Sequence, residues 1–412
     1  MKFGNIILDR KGRCTVGDDI QLLAIENLYN YMNIPYEEVV RIPFSQLFTY
    51  DGEYVILPLS FPFYGYSNAN NITNFSPKII PVFLGFATMA NTYNTTDISY
   101  LKKYEPIGCR DQYTMNAVRN SGVKAYLNGC LTATLPKVRY GADERKKIFC
   151  VDVSPLLQSY IPKEMLPDCE FVNHVVFSDD CPNGTEEKAK EMYSRYVKEA
   201  KLIITTRMHA ALPCIAMGIP VILAKDNYSM RFPIIEKFIP VYTKETYGNI
   251  DWNPQSVNYE EFKIKVLESA KKRLNDTFTK YKDLIEISEF YETSEDVPEY
   301  LDNFSGTIHY LKSNYNPTDS FEYVLWGITQ TAELAHSYIE KNYPNAKLIG
   351  VIDQFREMDI YGVTSGKREF IEEHPDSICF ICAGAIMPMA KEYFKEIDYK
   401  NAVYCWSDGL PE

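Results

Sequence analysis

Leu202-Ile203-Ile204-Thr205-Thr206-Arg207-Met208-His209-Ala210-Ala211-Leu212-Pro213 runs from an apolar strand through a polar turn straight into a helix. Such a turn gathers free N–H groups and the positive end of the helix dipole at one point, an arrangement that holds anions. Arg207 adds a fixed cation there. His209 adds the side chain whose ordinary pKa suits proton transfer near neutrality. Pro213 is expected in the first helical turn, where its missing N–H costs little. In open α/β sheets ligands gather at the carboxyl ends of the strands, which is where this turn falls. Taken by itself, the stretch fits a blander role equally well, with Arg207 paired to a nearby carboxylate and His209 as a helix-end histidine.

Around this stretch the chain alternates. Lys147–Val153, Lys201–Thr205 and Pro220–Ala224 read as strands, with Thr185–Glu199 and His209–Met217 as the helices between them. Earlier, Asn5–Asp9, Glu53–Pro58, Lys78–Leu84 and Lys124–Leu127 read as strands, while Gly17-Asp18-Asp19 and Asp111–Asn120 open helices. Alternation of this kind implies parallel sheets joined by right-handed crossovers. The expected fold is α/β: two Rossmann-like domains, 1–145 and 146–290, facing a cleft, the second carrying the anion-binding turn. A charged helical stretch from Asn258 to Glu289 closes the second half. Residues 291–319 hold Pro298, Gly306, Asn314 and Pro317 and read as a linker. Residues 320–412 repeat the βαβ theme as a small Rossmann-like accessory domain.

Composition bounds the function. Hydrophobic residues make up 46% and charged residues 24%, the balance of an ordinary globular protein. The formal net charge of −12, with no basic stripe, argues against a nucleic-acid partner. No run of eighteen apolar residues occurs, so no transmembrane segment is expected. Met1–Asp9 reads as a first strand and not as a secretory leader, which places the protein in the cytoplasm. Cysteines in that compartment are core residues more often than disulfides. Cys379 and Cys382 have C-x-x-C spacing, but they fall on a strand, where i and i+3 face opposite sides. Core packing is the expected role, and no histidine or carboxylate spacing suggests a metal.

An acidic chain that binds an anion needs cations placed one at a time. Gly108-Cys109-Arg110-Asp111 supplies a second candidate, again an extended segment entering a helix, although a surface arginine bonded to Asp111 would look the same. Arg110 and Arg207, each at a turn of its own half, are expected to converge on one cleft. A donor carrying both a carboxylate and a phosphate suits such a pair, because guanidinium forks bind both groups bidentately.

In this order and spacing, the pieces resemble the polysaccharide pyruvyl transferase family over about residues 1 to 290. The resemblance is carried by Gly17-Asp18-Asp19-Ile20-Gln21, by Tyr104-Glu105-Pro106-Ile107-Gly108-Cys109-Arg110-Asp111 and by Asn128-Gly129-Cys130-Leu131-Thr132. Thr205-Thr206-Arg207-Met208-His209 with Gly218-Ile219-Pro220-Val221-Ile222 completes it. It implies a GT-B-like arrangement of the two domains and phosphoenolpyruvate as co-substrate, with no separate cofactor. It further implies donor binding by Arg110, Arg207 and the main chain at Met208, with His209 at the reacting centre. The acceptor would be a sugar or glycan, free or lipid-linked. The chain departs from its relatives at Phe83–Thr88, where they carry a histidine, and near Ser60–Tyr64, where they carry a tryptophan; both segments are expected to face the acceptor.

Asp18 is an acceptor-side candidate, or equally a favourable charge at a helix start. Phe61–Tyr66 and Tyr247–Trp252 are candidate sugar-stacking walls. Gly327-Ile328-Thr329-Gln330-Thr331-Ala332 and Asp353 sit where a dinucleotide fingerprint would, but Thr329 replaces its middle glycine, so a non-binding module is expected. The competing readings are a GT-B glycosyltransferase using a nucleotide sugar, which would want an acid for the ribose after Thr205, and a binding or sensor protein.

Overall fold

The computed structural model describes residues 1–60, 75–88, 93–137, 145–229, 231–288 and 305–405. The chain forms two compact units, Met1–Thr277 and Phe278–Glu412. Both are α/β with parallel, Rossmann-like sheets.

The first sheet of the larger unit contains β1 (Lys2–Ile7), β3 (Val39–Pro43), β4 (Val55–Leu59), β5 (Ile79–Phe86), β6 (Ile107–Cys109) and β7 (Ala125–Leu127). They lie in the order β3-β1-β4-β5-β6-β7, and every pairing is parallel. β4 and β5 are buried along their whole length, as strands covered by helices on both faces must be. Helices α1 (Val16–Tyr31), α2 (Thr95–Lys103) and α3 (Gln112–Asn120) belong to this half. Thr15 caps α1, its hydroxyl accepting from the N–H of Gly17 at 3.3 Å, and Asp18 and Asp19 occupy the first turn. Asp111 caps α3 in the same way, accepting from Thr114 N–H at 2.8 Å.

The second sheet contains β8 (Lys147–Val151), β9 (Cys169–Val172), β11 (Ala200–Thr205), β12 (Val221–Ala224) and β13 (Val241–Tyr242). Its order is β13-β12-β11-β8-β9, again wholly parallel. α4 (Pro155–Gln158), α5 (Thr185–Glu199), α6 (Met208–Ala216) and α7 (Glu260–Ser288) accompany it.

Two ties hold the halves of this unit together. β2 (Arg13–Thr15) pairs antiparallel with β10 (Val175–Phe177), and the N–H of Val16 donates to the carbonyl of His174 at 3.0 Å. Beside this ribbon α1 packs on α5, where Thr185 Oγ1 donates to Asp19 Oδ1 at 3.0 Å. Asp19 is 2% exposed and its Oδ2 has no hydrogen-bond partner among the described residues. Burial raises its pKa to about 7, opposed by the Thr185 hydrogen bond and reinforced by Asp18. A carboxyl raised in this way stabilises the fold only while it stays protonated. Its cost appears as pH rises past the unfolded value and is complete above the folded one. Asp19→Asn is therefore expected to raise the free energy of urea unfolding little at pH 4 and by a few kcal/mol at pH 8, each pKa unit being worth about 1.4 kcal/mol. An equal gain at both pH values would show that Asp19 is ionised in the fold.

Three local expectations differ from the structure. Pro213 lies inside α6, as its sixth residue, and not in the first turn. Its ring denies the His209 carbonyl the i+4 N–H donor, and the Tyr193 hydroxyl donates to that carbonyl instead. In Tyr247–Trp252, the tyrosine offers no face for sugar stacking. Tyr247 (1% exposed) and Ile250 pack among Ile148, Leu157, Leu202 and Ile222, with Trp252 against the same cluster, and the Tyr247 hydroxyl donates to Asp226 Oδ1 at 2.8 Å. Finally, the segment read as a linker is helical over Ser305–Asn314, with Ile308 and Leu311 buried; residues 291–304 lie outside the described residues, as does Phe61–Tyr66.

In the smaller unit the strands are β14 (Glu322–Trp326), β15 (Lys347–Ile352), β16 (Asp359–Ile360), β17 (Val363–Gly366), β18 (Ile378–Ile381) and β19 (Ala402–Tyr404). Their order is β16-β17-β15-β14-β18-β19, parallel except for β16 against β17. Thr329 caps the helix Gln330–Asn342, and its hydroxyl donates to the Cys382 carbonyl at 2.6 Å across the ends of β14 and β18. Asp353 Oδ1 accepts from the N–H groups of Phe355 and Arg356, closing its own turn. Cys379 and Cys382 are both buried in the core of this unit.

Candidate active site

The chemistry-bearing residues of the larger unit sit at carboxyl ends of parallel strands. Arg110 follows β6, Cys130 lies three residues beyond β7, Asp152 follows β8, and Thr206-Arg207 leaves β11 to start α6. This is the edge where α/β sheets bind ligands. α1 brings a second helix start to the same place. A Cβ built on Gly17 would lie 3.1 Å from the Cβ of His209 and 3.6 Å from its Nδ1.

Arg110 is not a surface residue. It is 1% exposed, its N–H donates to the Phe86 carbonyl at 2.8 Å, and its Nε stands 3.8 Å from Asp111 Oδ2, beyond hydrogen-bond reach. Nε and Nη1 have no hydrogen-bond partner among the described residues. A buried guanidinium left in that condition costs several kcal/mol unless an anion joins it.

Arg207 caps α6 and is held differently. Its Nε donates to Asp152 Oδ2 at 2.9 Å, and the same oxygen accepts from His174 N–H at 3.2 Å. Asp152 has φ 48°, a conformation Asp adopts more readily than most residues. The plainer reading of Arg207, a pair with a neighbouring carboxylate, is thus realised, yet the side chain remains 43% exposed, with only Nε committed among the described residues. Met208 opens the helix and is buried.

His209 is half-buried. Its Nε2 lies 3.7 Å from Cys130 Sγ. Burial drives its pKa well below the usual histidine range, and the charges of Arg110, Arg231 and His174 push the same way. It is neutral at pH 7. Asp18 Oδ2 accepts from Arg10 Nη2 at 2.9 Å; burial raises its carboxyl, while Arg10, Arg110 and Arg231 oppose the rise. The helix-start role of Asp18 is thus realised, and its carboxylate also feels the charges of Arg110 and Arg231.

The charges of the arginines act on different neighbours. Arg110 acts on Asp18, Cys130 and His209. Arg207 acts on His174 and Lys225. Arg231 acts on both groups, through Asp18 and His209 on one side and Lys225 on the other. Sequence reading missed Arg231, which lies in a loop with no motif around it. It also missed Asp152, although an acid directly after an apolar strand was a usable signal.

Gly17 gives a sharp check on His209. Its backbone is ordinary helix, so alanine there would otherwise favour α1 by up to about 1 kcal/mol. Gly17→Ala is expected to keep or raise the melting temperature while turnover drops roughly tenfold, because the new methyl displaces the imidazole. Unchanged turnover would mean that His209's position does not matter.

Arginines at the strand ends of a parallel α/β sheet leave the chemistry open. The family model of polysaccharide pyruvyl transferases matches residues 16–224, just over half of the chain, and the protein belongs to that family. The matched span contains Asp18, Arg110, Arg207, Met208 and His209; Arg231 and the smaller unit lie beyond it. No curated protein matches the chain. Among solved structures, an uncharacterized protein from Klebsiella pneumoniae is similar at 15% identity, with a TM-score of 0.33 over 55% of this chain and 84% of that one. Among the described residues no helix is long and apolar enough to cross a membrane, and no group of histidine, cysteine and carboxylate side chains is placed to hold a metal ion.

Proposed function

We propose that the protein transfers the enolpyruvyl group of phosphoenolpyruvate to a sugar of a polysaccharide or its precursor and closes it into a pyruvate ketal. The observation that carries this reading is Arg110, buried with Nε and Nη1 unpartnered among the described residues and with its charge acting on Asp18 and His209. In the reaction Arg110, Arg207 and the N–H groups from Met208 onward hold the carboxylate and phosphate, and phosphoenolpyruvate is a co-substrate with no other cofactor required. The two sheets of the larger unit act as the halves of a GT-B-like enzyme in the cytoplasm, with the acceptor free or lipid-linked.

The methylene carbon of the donor takes a proton from solvent and becomes the methyl group, which leaves C2 electrophilic, and neutral His209 takes the proton of the sugar hydroxyl whose oxygen bonds to C2. The imidazolium so formed has a depressed pKa and returns its proton readily to solvent, which balances the proton taken up at the methylene carbon. A second hydroxyl of the same sugar then bonds to C2, the C2–O bond to phosphate breaks, and the second proton leaves with the phosphate. The arginines and helix-start N–H groups hold the negative charge throughout.

The test is phosphate release from phosphoenolpyruvate across a panel of acceptor sugars, beside thermal-shift measurements with phosphoenolpyruvate, a UDP-sugar and a dinucleotide. Stabilisation by phosphoenolpyruvate alone is expected. Stabilisation by the UDP-sugar alone would favour a glycosyltransferase instead.

A further inference from the structure

The two ring nitrogens of His209 face different surroundings. Nε2 points at Cys130 Sγ, 3.7 Å away, and that sulfur lies 3.2 Å from Thr132 Oγ1. Cys130 and Thr132 are each 0% exposed, so this side of the ring is sealed from solvent. Nδ1 lies on the other side, toward Gly17 at the start of α1. A proton at Nε2 has no exit through the sealed side. A lone pair there would face only the thiol.

We infer that Cys130 is a positioning residue for His209: its sulfur accepts the Nε2–H, its own S–H turns to Thr132 Oγ1, and Nδ1 is left as the basic nitrogen on the open side. The hydrogen bond made by one ring nitrogen fixes the state of the other. Burial raises the Cys130 thiol, against the pull of Arg110, so the sulfur stays protonated and is not a nucleophile. The backbone beneath is pinned as well, since Tyr193 donates to the carbonyl that Pro213 leaves unbonded. His209 is thus fixed at its main chain and at one ring nitrogen, in the tautomer that a base facing α1 requires. This inference rests on the proposed role of His209 but makes a claim about the resting protein that is decided without turnover.

The experiment uses the full chain with 15N-labelled histidine. The five histidines are assigned by single substitutions, and ring 15N shifts are read at pH 7. In the parent protein His209 is expected neutral with its proton on Nε2. In Cys130→Ala the Nδ1–H form should appear, turnover should fall roughly tenfold, and the KM for phosphoenolpyruvate should stay within about twofold, because both donor arginines remain. Cys130→Ser, which keeps an acceptor, should restore the parental tautomer and most of the turnover. A parent His209 protonated on Nδ1 overturns the inference, as does a folded Cys130→Ala with the parental tautomer and turnover. Should no acceptor support turnover with phosphoenolpyruvate while the tautomer shifts as expected, the donor chemistry fails and the role of Cys130 stands.

Discussion

Arg110→Met should bind phosphoenolpyruvate on the order of a hundredfold more weakly than the parent protein and yet unfold at a higher temperature. The first effect follows from losing charge-assisted hydrogen bonds to the donor, each worth about 1.5–3 kcal/mol. The second follows from the resting state, in which the guanidinium is buried with Nε and Nη1 unpartnered and its carboxylate neighbour 3.8 Å away. Exchanging such a group for an apolar side chain of similar length is neutral or stabilising by about 1–4 kcal/mol. Asp111 loses little, since its carboxylate still caps α3. The variant also removes a charge that depresses His209 and lowers Asp18, so both pKa values should rise. Calorimetry with phosphoenolpyruvate and a thermal melt of the free protein decide the matter together. A variant that melts lower and binds normally would make Arg110 a structural residue.

The opposite signs of these two effects explain what the sequence could reveal and what it could not. The turn from Thr205 to His209 was legible because a strand-to-helix junction is a local event, with its cap, dipole and cation within five residues. Arg110 was legible as a position but not as an environment. Nothing in Gly108-Cys109-Arg110-Asp111 says that Arg110 is buried, that its main-chain N–H bonds to Phe86 or that its charge acts on Cys130 and Asp18, because those partners come from other parts of the chain. Asp152 and Cys130 fall in the same class: each stood at a strand end, and each acts through a partner 55 or 79 residues away. Pro213 was misplaced by half a turn or more because its cost depends on whether another group can serve the His209 carbonyl, and Tyr193 on α5 does so. Tyr247 was read as a surface aromatic for a related reason. Its burial depends on Asp226 accepting its hydroxyl, a pairing that spacing alone does not disclose. The alternation of strands and helices, by contrast, fixed both parallel sheets of the larger unit, since apolar runs such as Ile79–Phe86 need cover on two faces.

His209→Ala separates proton transfer from donor binding. The side chain stands two residues beyond Arg207 on the first turn of α6, and the substitution leaves both guanidinium groups in place. Donor affinity should fall modestly, while turnover should drop by roughly a hundredfold or more, the share usual for general acid–base catalysis. Arg207→Ala should weaken both, since its contact to the donor exists before and during the reaction. The pH profile carries the same information with a definite sign. Burial, with the charges of Arg110, Arg231 and His174 acting in the same direction, holds the His209 pKa well below the usual histidine value. Its basic form is therefore present throughout the neutral range and is lost only as pH falls through that lowered value. Turnover of the parent protein should stay level from pH 8 down past 6.5, the point at which an ordinary histidine would be half protonated. In Arg110→Met, with one depressing charge gone, the acid limb should move to higher pH. Phosphoenolpyruvate affinity by calorimetry and turnover with a working acceptor, both followed across pH, make the measurement. Near-normal turnover in His209→Ala would reduce His209 to a helix-end residue and send the proton by another route.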